Sequence, residues 1–110
     1  MVLTDLSSYK SIYLQTAKEY VVNMSSGYSK LVVNSLDNEA ISVIHIGSHS
    51  LKSQSQVMGF TKIAELSENI EKFSNEILTK SCIVDEKFLS FLKNTIDQLN
   101  LEVSIIERSR

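Results

Sequence analysis

The 110-residue chain is the size of one domain, and its 43% hydrophobic and 22% charged residues are ordinary for a globular protein. A net charge of -2, with a pI near 5.6, offers no basic surface for nucleic acid. No apolar run approaches the ~18 residues that cross a bilayer, no signal-peptide core opens the chain, and the single cysteine, Cys82, excludes an internal disulfide or a thiolate zinc cluster. The expectation is a cytoplasmic protein that engages neither membrane nor nucleic acid.

Proline is absent, glycine occurs only at 27, 47 and 59, and Asn-Gly or Asp-Gly hairpin turns are missing, so the chain reads as all-α. Residues 1–6 read as a lead-in, with Thr4, Asp5, Ser7 and Ser8 as candidate N-caps. From Tyr9 to Val33 the positions Leu14, Ala17, Val21, Met24, Tyr28 and Leu31 recur in steps of three and four, the rhythm of one long amphipathic helix. Gly27 inside it costs about 1 kcal/mol relative to alanine and predicts low local stability.

Residues 34–38 read as a loop. Asp37 is the N-cap of a second helix, with Leu36 and Ile41 at staple spacing, and that helix runs to Val57 or Met58 before Gly59 ends it in a left-handed conformation. Ile63, Leu66, Ile70, Phe73 and Ile77 mark a third helix; residues 79–84 connect it to a fourth. Asp85 caps that helix, Val84 and Leu89 staple it, and Phe88, Leu92, Ile96, Leu99, Val103 and Ile106 form its stripe. Four such helices with short connections bury their stripes only against one another. The predicted architecture is a single-domain antiparallel four-helix bundle over residues 1–110, with the second and third helices as its tightest hairpin.

The informative stretch is Ile46-Gly47-Ser48-His49-Ser50-Leu51-Lys52-Ser53. At ~100° per residue His49 lies about 200° from Gly47 and Leu51, away from the core. His45, Lys52, Ser53 and Gln56 share that outer face at offsets of three, four and seven. An exposed imidazole with a lysine one turn on and small neighbours suits a phosphate-accepting histidine.

Read from 49 to 60, His-Ser-Leu-Lys-Ser-Gln-Ser-Gln-Val-Met-Gly-Phe resembles the histidine phosphotransfer (HPt) family, including the N-terminal phosphotransfer domains of chemotaxis kinases. The resemblance continues through Ile63-Ala64-Glu65-Leu66 to Glu71, where the family carries Glu or Gln 22 residues after its histidine. It departs at Ser53, where the family usually has glycine. The resemblance implies that His49 is the phosphoacceptor in a two-component phosphorelay. Lys52, Ser53 and Gln56 would then support phosphate or docking, while Glu71, bordering the seam beside Ile70, would orient the imidazole. Gly59 is a helix terminator rather than a phosphate cradle.

The implied protein is a monomeric phosphocarrier, not an enzyme, with no cofactor of its own; Mg²⁺ belongs to the partner, a histidine kinase or a response-regulator receiver whose aspartate exchanges the phosphoryl group. Two other readings compete. One is a four-helix interaction module without phosphotransfer. The other is a metal site of His45 and His49 with Glu71 as third ligand, for which a fourth ligand is not signalled. No metal is therefore assigned.

Overall fold

The structure, a computed structural model, describes the backbone of residues 2–80 and 83–109, with side chains from residue 8 onward. Cys82 and part of the expected third connection lie outside the described residues. Four helices follow in order: α1 (Val2–Val33), α2 (Asn38–Met58), α3 (Thr61–Lys80) and α4 (Glu86–Arg108). The described residues include no strand. α2 packs against α1 and α3, and α4 closes the square against the same two helices, so consecutive helices are neighbours, as short connections require.

α1 begins earlier than predicted. Its backbone is helical from Val2, so Thr4, Asp5, Ser7 and Ser8 lie inside the helix instead of capping it. Nothing before Gly27 breaks a helix, and an N-cap residue type without a breaker does not stop one. The buried stripe of α1 starts at Tyr13 and continues through Ala17, Val21, Met24 and Leu31, whereas Leu14 and Tyr28 are half-buried at its edge. α1 also passes Gly27 unbroken, and the packing explains why glycine is there. A Cβ at that position would come within 2.9 Å of Ile44 Cγ1 and 3.2 Å of the Ala40 carbonyl oxygen. The helix propensity lost at Gly27 is exchanged for a close approach of α1 to α2.

The helix ends follow local rules. Asp37 Oδ1 accepts from the Ala40 N–H at 3.0 Å, and Asp85 Oδ1 from the Phe88 N–H at 2.9 Å. At the other end of α2, Gly59 adopts φ 80°, and the N–H groups of Gly59 and Phe60 donate to the carbonyls of Gln56 and Ser55. This paired closure turns the chain into α3 within two residues. The Val84 side chain is buried against the core as a staple should be, but Leu36 stays 82% exposed, so the first staple does not form.

Two seams frame α3. Toward α4, Phe73, Phe88 and Phe91 form an aromatic cluster, with Phe73 edge-on to Phe88 at a centroid distance of 4.8 Å. Toward α2, the line Ala64, Ser67, Glu71 and Ser74 is small and polar, and it faces an α2 surface that includes Ser48, His45 and His49. Small side chains allow the backbones of this hairpin to lie close together, and short polar groups can then span the seam.

Candidate functional site

His49 is fixed by that seam. Its side chain is 59% exposed, and its Nδ1 lies 2.6 Å from Glu71 Oε2. An ionised carboxylate only accepts, so the imidazole donates through Nδ1–H. In the neutral ring the lone pair then sits on Nε2, the nitrogen that the contact with Glu71 leaves free. Glu71 is 16% exposed, and its second oxygen, Oε1, lies 2.7 Å from Lys52 Nζ. One carboxylate of α3 thus joins an imidazole and an ammonium that stand one helical turn apart on α2.

The electrostatics agree. Burial disfavours the charged form of Glu71, but the Lys52 ammonium and the His49 N–H more than offset it and hold the carboxyl below its ordinary value. Contact with Glu71 in turn pushes the Lys52 ammonium above its usual value despite some desolvation. At neutral pH the pair is a carboxylate and an ammonium, so Glu71 can only accept from His49.

Not every predicted neighbour shares this arrangement. Lys52 is largely covered and committed to Glu71, rather than standing free on the outer face. Ser53 is half-buried and turned toward α1, where it lines a groove of about 600 Å³ with Tyr9, Ile12, Tyr13, Gln54, Val57 and Met58. Gln56 is exposed and lies beside Gly59, Thr61 and Glu65 at the hairpin end. Gly59 terminates α2, as expected. His45 departs from its predicted place in the water-facing cluster. It is half-buried, and its Nδ1 lies 3.3 Å from Ser74 Oγ.

In this geometry Glu71 is not free to serve as the third ligand of the metal reading. Both oxygens of Glu71 are engaged by His49 and Lys52, and among the described residues no three His, Cys, Asp or Glu side chains converge on a common point. Ser74 is the residue that sequence reasoning missed. The antiparallel register could have revealed it: four residues back from His49 on α2 matches three residues on from Glu71 on α3.

No protein-family model matches the chain. It is 24% identical over 102 residues to the chemotaxis protein CheA of Bacillus subtilis (strain 168), an alignment that covers 93% of this chain and 15% of that protein. Among solved structures, it superposes on the CheA phosphotransferase domain from Thermotoga maritima with a TM-score of 0.83. The chain has the fold of that domain. The superposition covers 90% of this chain and 94% of the domain at 23% identity. The chain therefore spans a small part of the curated relative but nearly the whole of the structural one. Among the described residues, no helix is long and apolar enough to cross a membrane.

Proposed function

We propose that this domain is a histidine phosphocarrier of a two-component phosphorelay, taking a phosphoryl group on Nε2 of His49 and exchanging it with a receiver-domain aspartate. The 2.6 Å contact between His49 Nδ1 and Glu71 carries the reading. The Nε2 lone pair attacks phosphorus; the P–O bond to the donor breaks as the P–N bond forms. Because Nδ1 keeps its proton, the ring gains positive charge during attack, and the adjacent carboxylate stabilises that charge while holding the ring in place. After transfer to a carboxylate the ring returns to the same neutral tautomer. Lys52 fixes Glu71 and adds positive charge near the phosphoryl site.

The remaining chemistry, Mg²⁺ included, belongs to the partner kinase or receiver. Docking is transient and centres on the exposed His49, with apolar contacts from Ile46, which is 61% exposed, and from the groove at Tyr9, Ile12 and Val57. Ser53, on the lip of that groove, supplies specificity rather than phosphate binding. The domain acts as a monomer.

The test is incubation with an active histidine kinase or a phosphorylated receiver. The expected product is an acid-labile, base-stable phosphate on the wild-type protein that is missing from His49→Gln. Labelling of His49→Gln at the wild-type level, or none of the wild type by any kinase or receiver of the source organism, overturns the proposal. A pure interaction module would bind its partner and remain unlabelled.

A further inference from the structure

The seam holds two histidines by the same ring nitrogen, Nδ1. Ser74 Oγ has one proton and directs it to the Ile70 carbonyl at 2.8 Å, with the Glu71 carbonyl at 3.1 Å. With that proton so directed, the hydroxyl accepts at His45 and the imidazole donates through Nδ1–H, which in the neutral ring leaves the lone pair on Nε2. His49 reaches the same tautomer through Glu71. Among the described residues neither Nε2 meets a hydrogen-bonding partner. The two rings occupy positions i and i+4 of one helix, where Cβ atoms are about 5–6 Å apart, and both lean toward α3.

We propose that His45 and His49 form an open two-nitrogen site for a borderline divalent transition metal such as Cu²⁺, Ni²⁺ or Zn²⁺, and that its occupation excludes phosphorylation. Imidazole nitrogens suit these ions and not Mg²⁺, which prefers oxygen. Metal-binding histidines usually donate their second nitrogen to an oxygen that fixes the tautomer, and both partners stand in place here: the Glu71 carboxylate for His49 and the Ser74 hydroxyl for His45. Glu71 is thus an outer support instead of a ligand, and water at the exposed side of His49 completes the coordination. A lone pair on Nε2 serves a metal or a phosphorus atom, never both. This exclusion rests on the phosphocarrier reading; metal binding does not.

The experiment uses untagged Cys82→Ser protein, which removes the thiol, and titrates Cu²⁺ and Zn²⁺ in competition with a chromophoric chelator. One equivalent should bind, Cu²⁺ more tightly than Zn²⁺, with Mg²⁺ unable to displace either. His45→Ala and His49→Ala should each weaken binding by about tenfold or more, and Glu71→Gln should weaken it by about tenfold without abolishing it. His49 is exposed, so its variant keeps the fold. Equal affinity of His45→Ala and its parent, or binding by the parent no tighter than by the double variant His45→Ala/His49→Ala, overturns the site. If metal binds as stated but a loaded domain is phosphorylated as readily as an empty one, the exclusion is wrong. Should metal bind while phosphate never does, the phosphocarrier reading fails and the site stands.

Discussion

The two seams of α3 are built on opposite principles. Toward α4 the seam is aromatic: Phe73, Phe88 and Phe91 fill volume, and Phe88 is fully buried. Toward α2 it is narrow and polar, with Ser48, Ser67 and Ser74 all fully buried and Glu71 at its edge. The aromatic seam supplies hydrophobic stabilisation and does not require a particular polar geometry. The polar seam gives up apolar burial, and in exchange the two backbones come close enough for a short carboxylate to hold an imidazole on the neighbouring helix. Stability is concentrated on one side of α3 and chemistry on the other.

Phe88→Ala should break the first principle with the largest effect on folding. Removing a fully buried ring from the cluster costs about 3–5 kcal/mol. For a domain this size such a loss lowers the melting temperature by well over 10 °C. Calorimetry measures it. Under conditions where the variant is folded, His49 should still be labelled at a rate close to wild type, because α2 and its carboxylate partner are untouched. A variant that is stable but unreactive would show that the aromatic seam also sets the site.

Glu71→Gln strikes the second principle. A hydrogen bond to a charged group contributes about 1.5–3 kcal/mol, so phosphorylation should slow by about tenfold to a hundredfold. The same variant tests the electrostatics. A carboxyl held below its unfolded value adds stability that is fully present above about 4.5 and disappears as pH falls through the lower folded value. Urea titrations from neutral to acid pH should therefore lose stability less steeply for Glu71→Gln than for the wild type. Parallel curves would mean that the contacts of Glu71 with Lys52 and His49 contribute nothing to the fold.

The two seams were also unequally legible in the sequence. Apolar spacing located all four helices and most of the buried apolar positions, because a stripe at three-four intervals has one physical meaning. The caps at Asp37 and Asp85 and the stop at Gly59 were equally readable, being local chemistry. His49 and Glu71 were matched by offset, and the structure brings them together. The polar partners within the seam were less accessible. Helical angle alone put His45 beside His49 in water; only the packing of α3 brings Ser74 to its ring. Likewise Lys52 looked free until Glu71 was found to share it. Leu36 had staple spacing but stays 82% exposed in the loop.

The smallest effect separates two properties that serine combines in the polar seam, small size and a hydroxyl. Ser67 is fully buried, and its Oγ finds no hydrogen-bonding partner among the described residues. A buried hydroxyl without a partner is a net cost, so its size, not its polarity, is what the seam uses. Ser67→Ala keeps the size and removes the hydroxyl; it should be neutral or stabilising by about 1 kcal/mol, with phosphorylation of His49 unchanged. Ser67→Val also removes the hydroxyl but adds bulk at this fully buried position, and overpacking costs about 1–3 kcal/mol. It should also push Glu71 away from His49 and slow labelling. Chemical denaturation and the labelling rate together decide the matter: if the alanine variant is the less stable of the two, the hydroxyl is the group that holds the seam, and close approach is not what brings the carboxylate to the imidazole.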